Sequence, residues 1–304
     1  MTTARDLEYR LHHLCIYDDK PRDNMFPYLR WHHGITNYFS GAVFHVTGEG
    51  HSDYTFLGCG GRAYQVQIEA PPFQFEYERQ WWKNHGHGYN HVCWITSDAR
   101  KSMEHLLANG ATEVMPFEEF PTYDGFVVHD PEGRWVEIME YTDDTFRVQE
   151  FTHAPSGECG LELVGNAELC RNIDAMTDWY TRILDLRILE TFESGDHKTV
   201  VLTDRDYDPL ERRTLFFLHT ARHEFEQKLL EDHGPQISAL IYQAKDIERA
   251  WEDALWAGME ALMPLHVCEL TGLKTGYLRE PCGGNTIMLT EHYAPALVSE
   301  AIAA

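Results

Sequence analysis

The stretch Gly88-Tyr-Asn-His-Val-Cys-Trp-Ile95, continued by Asp130-Pro-Glu-Gly-Arg-Trp-Val-Glu-Ile-Met-Glu140, decides how the rest of the chain is read. It opens on an apolar strand carrying His91, passes through a helix over Ala99–Asn109, and returns as strands around the turn at Asp130–Gly133. Side chains alternate faces along a strand, so Glu137 and Trp135 point one way while Val136 and Ile138 point the other. An acid between two apolar residues costs roughly several kcal/mol unless it is paired or binds a metal. His91, at the start of the same unit, is its most available partner. The unit reads as half of a metal-binding cup.

Working outward, a strand over Glu8–Tyr17 holds His12 and His13, and a short helix is expected over Arg22–Arg30. Strands at Ala42–Thr47, Tyr54–Leu57 and Arg62–Glu69 follow, then a helix over Phe73–Lys83. Asp143–Gly160 reads as a linker. Beyond it the same alternation returns, with helices expected near Ala175–Leu184, Glu224–Asp232 and Ile247–Ala257 among six or more strands.

That return is a repeat. Shifted by 148 positions without gaps, His85-Gly86 meets His233-Gly234, Asp98 meets Asp246, Gly110 meets Gly258, and Met115-Pro116 meets Met263-Pro264. The turn Asp130–Gly133 meets Glu280–Gly283 two residues further on. Four βαβββ modules result, at 7–72, 88–142, 158–220 and 235–292. They group into an N-terminal domain, 1–145, and a C-terminal domain, 146–304.

The duplication supplies an internal control. His91 corresponds to Ala239, and Glu137 to Met288 once Gly284 is treated as an insertion. His13 corresponds most simply to Asn166, or to Glu168 after a two-residue slip. The scaffold is kept while the chemistry is lost, which places the functional site in the N-terminal half. His13, His91 and Glu137 then form a 2-His-1-carboxylate set. Such a set suits an octahedral divalent ion, Fe(II) first, with Mn, Co or Ni next, whereas Zn more often closes tetrahedrally. A site charge of about +1 favours a small molecule with two adjacent oxygens.

His12 and His13 are strand neighbours and are expected to face opposite ways; His13-Leu-Cys-Ile shares its apolar spacing with His91-Val-Cys-Trp, which favours His13. Gln67 takes, in the first module, the place of Glu137 in the second. It reads as a fourth donor, a hydrogen bond to substrate, or a polar residue facing solvent. Tyr123, His45 and His129 flank the region as acid–base groups, with a structural hydrogen bond as the alternative for each.

Composition agrees with this class. The 304 residues are 43% hydrophobic and 24% charged, enough for a full core, and a net charge of −24 argues against nucleic acid. Seven cysteines without a CxxC pair read as reduced thiols of a cytoplasmic protein. The opening Met-Thr-Thr-Ala-Arg-Asp lacks a signal-peptide core, and no run approaches the ~18 apolar residues of a membrane span. P-loop, dinucleotide, GxSxG and HExxH patterns are absent. Association of copies into a homo-oligomer is expected, and the Trp81-Trp82 pair reads as helix packing or a subunit contact.

These residues resemble the vicinal oxygen chelate superfamily, which includes glyoxalase I, methylmalonyl-CoA epimerase, fosfomycin-resistance proteins and type I extradiol dioxygenases. The match is best over His91-Val-Cys-Trp, Asp98 and Asp130–Glu137. The resemblance implies an α+β fold of tandem domains, each an open curved mixed sheet around a cup. It implies His13, His91 and Glu137 as ligands and puts Gln67 where glyoxalases have a fourth. Chain length points to an extradiol-type dioxygenase cleaving a catechol- or hydroquinone-like ring with O2. Two departures stand against it. The usual extradiol metal sits in the C-terminal domain, and the family's acid–base histidine and tyrosine would fall near Gln65–Gln67 and Phe126–Val128. The alternatives are a glyoxalase- or epimerase-like isomerase or lyase working through an enediolate, and a ligand-sequestering binding protein.

Overall fold

The structure is a computed structural model that describes residues 3–20, 53–57, 65–73, 75–120, 123–142, 159–204, 214–279 and 285–292. The expected helix at 22–30, the strand at 42–47 and His45 lie outside the described residues.

The N-terminal half contributes β1 (Arg10–Tyr17), β2 (Asp53–Leu57), β3 (Gln65–Ala70), α1 (Glu76–His85), β4 (Gly88–Ile95), α2 (Ala99–Ala108), β5 (Thr112–Glu119), β6 (Tyr123–His129) and β7 (Trp135–Tyr141). The C-terminal half contributes β8 (Glu162–Leu169), α3 (Ile173–Ile183), β9 (Arg187–Ser194), β10 (His197–Thr203), β11 (Leu215–His219) and α4 (Glu224–His233). It closes with β12 (Gln236–Ala244), α5 (Ile247–Trp256), β13 (Glu260–Val267), β14 (Lys274–Arg279) and β15 (Thr286–Glu291).

The repeat seen in the sequence reappears at the helix ends. Asp98 caps α2 by accepting from the Lys101 amide, and Asp246 caps α5 by accepting from the Arg249 amide. Glu78 and Glu226 fold back onto the amides of Phe75 and His223, which precede α1 and α4. Gly86 and Gly234 end those two helices at positive φ, as Gly110 and Gly258 do just beyond α2 and α5.

The strands assemble into two mixed sheets, ordered β2-β3-β1-β4-β7-β6-β5 and β13-β14-β15-β12-β8-β11-β10-β9. In each, two central antiparallel strands (β1 with β4, β8 with β12) are flanked by parallel partners. This corrects the expectation that each half curls around a cup. The antiparallel β1–β4 and β8–β12 pairings fuse neighbouring units into one linear ladder. Its end strands, β2 and β5 or β13 and β9, do not pair with each other, so both sheets are open and neither is curled or closed. The full βαβββ order is seen in three units; the first shows β1, β2 and β3 among the described residues.

Alternation along the central strands separates two faces. Leu14, Ile16, Val92, Trp94, Val136 and Ile138 join Leu163, Tyr180, Phe216, Leu240 and Tyr242 in one buried core that both halves share. Trp94 meets Phe216 edge-on at 5.6 Å. Each such side chain contributes about 1.5–3 kcal/mol on burial. Buried polar ties cross the same seam, two of them well inside it. The buried Arg134 guanidinium donates to Asp130 at 2.7 Å and lies 2.9 Å from Glu168 of β8, which also accepts from the Tyr180 hydroxyl. The Tyr89 hydroxyl donates to the Thr286 carbonyl at 2.6 Å and accepts from the Leu240 amide at 3.3 Å. Apolar residues thus fill the shared face, and the opposite face of each sheet is free for chemistry.

Candidate metal centre

On that opposite face β1, β4 and β7 bring His13, His91 and Glu137 together. Glu137 Oε2 lies 3.4 Å from His13 Nε2 and 3.2 Å from His91 Nε2, and the two imidazole centroids are 5.6 Å apart. Ligands about 2.1 Å from a shared ion and cis to one another are separated by roughly 3 Å, so this spacing matches one cation between them. Both imidazoles are buried, and each turns its Nε2 toward the Glu137 carboxylate. Burial works against a charge on Glu137, but His91 and His13 beside it outweigh burial and hold the carboxyl well below the usual range. Burial likewise lowers His13, against the opposing pull of Glu137. The cluster therefore offers an ionised carboxylate, and burial favours the neutral form of the His13 imidazole, as a divalent ion requires of its ligands.

Two β-bulges shape the site. The β1–β4 register slips between Leu11 and His13, and again between Leu14 and Ile16 opposite Val92 and Tyr89. The first slip leaves His12 as an extra residue, so it shares a side with His13 instead of facing away. The two Nδ1 atoms are 2.8 Å apart, and His12 Nε2 lies 2.8 Å from the Tyr141 hydroxyl. For His13 to present an Nε2 lone pair, its Nδ1–H must donate to His12 Nδ1. His12 then carries its proton on Nε2 and donates to Tyr141. Burial first, then the nearby His13, pushes His12 down to about 3, so it is neutral in this chain. The second slip sets Asn90 beside His91, where Asn90 Oδ1 lies 2.6 Å from His91 Nδ1. That contact fixes the tautomer with Nε2 free to bind.

Gln67, on β3, is buried on the same face as His13. Its Nε2 donates to Glu69 Oε1 at 2.7 Å, and its Oε1 has no hydrogen-bond partner among the described residues. Glu69 is held well above the usual carboxylate range by burial and by Glu78 and Glu137 nearby. Tyr123, at the start of β6, stacks on Phe120 at 4.5 Å, and burial followed by the charge of Glu137 raises its phenol well above the ordinary value. His129 accepts from the Trp135 indole at 3.1 Å, which is the structural alternative. Sequence reasoning missed His12, Asn90 and Glu69. The His12-His13 doublet was the only signal, and its reading depended on a regular strand.

Two other groups of three donors occur among the described residues: His12, His13 and Cys93, and Asp18, Asp19 and His87. In the first, burial followed by Glu137 raises the Cys93 thiol well above its ordinary value, which disfavours the thiolate a metal needs.

The C-terminal sheet repeats both bulges, between Ile237 and Ala239 and between Ile241 and Tyr242. Aligning the paired registers (His13 with Cys93, Gly165 with Ile241) sets Gly165 where His13 stands. The expected counterparts Asn166 and Glu168 instead match Leu14 and Ile16, on the core side. Val164 replaces His12, Ala239 replaces His91, and Met288 replaces Glu137, the last two as expected. Phe217 and Leu273 stand for Gln67 and Tyr123, and all of these except Gly165 pack in one apolar cluster.

No family model matches the chain. A 111-residue stretch is 25% identical to glyoxalase I of Saccharomyces cerevisiae, covering 36% of this chain and 32% of that protein. The match thus spans about a third of the curated relative's length. Among solved structures, a mutant 4-hydroxymandelate synthase from Streptomyces coelicolor superposes with a TM-score of 0.64 at 12% identity, over 96% of each chain. The 2,3-dioxygenase LapB from Pseudomonas sp. KL28 gives 0.58 at 12% identity, over 94% of this chain and 92% of its own. The Mn(II)-bound glyoxalase from Novosphingobium aromaticivorans gives 0.57 at 10% identity, over 93% and 81%. The chain is a two-domain protein of the vicinal oxygen chelate fold.

Proposed function

We propose that this chain is a metal-dependent oxygenase that opens a small catechol- or hydroquinone-like ring with O2 at an N-terminal site held by His13, His91 and Glu137. The observation that carries the reading is the convergence of two buried imidazoles and one ionised carboxylate at 3.2–3.4 Å. His13, His91 and Glu137 would hold a divalent ion, Fe(II) in this reading, which would supply Lewis acidity toward adjacent oxygens and redox access to O2.

The chain's own groups do the rest. His12 and Asn90 hold the two imidazoles in their binding tautomers. Tyr123, a neutral phenol on the same face, donates a hydrogen bond to charge developing on a substrate oxygen. Gln67, oriented by Glu69, presents its amide oxygen to a substrate hydroxyl. The names of two superposing structures, a halotolerant catechol dioxygenase and a 2,2',3-trihydroxybiphenyl 1,2-dioxygenase, support the aromatic substrate. One observation favours a second reading, a glyoxalase-like isomerase: Gln67, buried beside His13 on the same face, suits a fourth ligand, which leaves less room for substrate oxygens.

Elemental analysis by ICP-MS of the wild type and His91→Ala, followed by oxygen uptake with catechols and hydroquinones, tests the proposal. One equivalent of metal lost in the variant, with substrate-dependent O2 consumption, is the expected result. Turnover of a 2-oxoaldehyde–thiol adduct without O2 would select the isomerase, and wild type without metal would leave a binding protein.

A further inference from the structure

The C-terminal sheet keeps a recess on the face where the N-terminal sheet carries its donors. It encloses about 770 Å³, counting the space open to solvent. Ala167, Phe217, Ala239 and Met288 form an apolar floor, and Phe225 and Tyr277, with ring centroids 5.3 Å apart, form an aromatic wall. With Gly165, Ala239 and Met288 in the donor positions, the floor cannot hold a divalent ion.

Arg222 also lines the recess. Its guanidinium donates to Cys268 Sγ at 3.0 Å and contacts His223 Nε2 at 2.9 Å. No carboxylate among the described residues forms an ion pair with it. Glu226, which also lines the recess and whose charge reaches Arg222, is committed by one oxygen to the amides of Arg222 and His223 ahead of α4. In a chain with a net charge of −24, a guanidinium held by a thiol and an imidazole beside an apolar recess is matched to a planar anion. Concave, mostly apolar lining with few convergent polar groups is the usual form of a small-molecule site.

We propose that this recess binds a small aromatic carboxylate, with the ring against Phe225 and Tyr277 and the carboxylate on Arg222, independently of the metal centre. Cys268 reports on occupancy because it touches the anchoring guanidinium. Among the described cysteines its thiol is the one held below the ordinary value. Burial opposes this, but hydrogen bonds from Thr271 and Arg222 prevail, whereas burial raises Cys15, Cys93, Cys159 and Cys170.

The test uses the full-length protein and benzoate as the probe, with benzyl alcohol as its uncharged counterpart. Calorimetric titration measures binding, and mass spectrometry follows alkylation of Cys268 by iodoacetamide. Benzoate is expected to bind and to slow Cys268 labelling, and to bind at least ~10-fold more tightly than benzyl alcohol, as one charge-assisted contact implies. Arg222→Met should erase that preference. Met288→Trp, which fills the floor and keeps the anchor, should abolish binding of both, and His91→Ala should leave benzoate binding intact. Absence of benzoate binding, equal affinity for the two probes, binding unchanged in both Arg222→Met and Met288→Trp, or binding lost with His91→Ala would each overturn the proposal.

Discussion

The two sheets carry the same backbone device and opposite chemistry on it. Bulges at equivalent points turn side chains toward one face in both halves, where one sheet gathers His12, His13, His91 and Glu137 and the other gathers Val164, Ala239 and Met288. The fold therefore does not require the polar set. Two imidazoles and a carboxylate cost stability that apolar residues would not, and the cost is offset when an ion fills the space between them. The N-terminal face carries the donors on which the proposed function rests, and the C-terminal face is an apolar cluster with a recess in it.

The comparison breaks most readily at the donors. Glu137→Ala or His91→Ala should lower metal affinity by more than the ~100-fold that loss of an outer-layer partner causes, read by chelator competition. The reverse graft should fail. Rebuilding the set in the C-terminal half needs Gly165→His, yet a Cβ at Gly165 would stand 1.7 Å from the Leu215 carbonyl oxygen. The strands would have to part, and urea denaturation should reveal a loss above ~4 kcal/mol. Transplanting the other way, His91→Ala with Glu137→Met should stabilise the metal-free protein by about 1–4 kcal/mol while abolishing metal uptake. Asn90→Ala and His12→Phe should each weaken metal binding by ~10- to 100-fold and leave the ligands in place.

A further effect is one of pH. Burial depresses His12 in the folded chain to about 3, against ~6.5 when unfolded. Below ~6.5 the unfolded state takes the proton and the folded state does not, so stability present above that value falls by up to ~1.4 kcal/mol per pH unit toward about 3. Thermal melts of metal-free protein from pH 7 to 4 should show a shallower acid decline in His12→Phe.

Much of this was legible in the residues. The 148-residue shift found matching caps and glycine stops because those positions obey local backbone rules. His91 and Glu137 could be paired because their strands, β4 and β7, belong to one unit and lie side by side in parallel, with Cys93 opposite Glu137. His13's counterpart was misread because a bulge adds a residue without any composition signature, shifting Asn166 and Glu168 to the core side. The same slip hid His12 as a partner of His13. The curled cup was inherited from the family resemblance, whereas sheet closure depends on strand pairing at the edges, which no local pattern encodes.

Tyr89 has one further consequence. Its hydroxyl sits between the Thr286 carbonyl and the Leu240 amide of the opposite half, while the residue 148 positions later is Ile237, which has no polar group to return the contact. The clasp runs in one direction only, and because its partners are main-chain groups it depends on Tyr89 alone: two copies of the C-terminal half, with Ile237 at that place, could not form it.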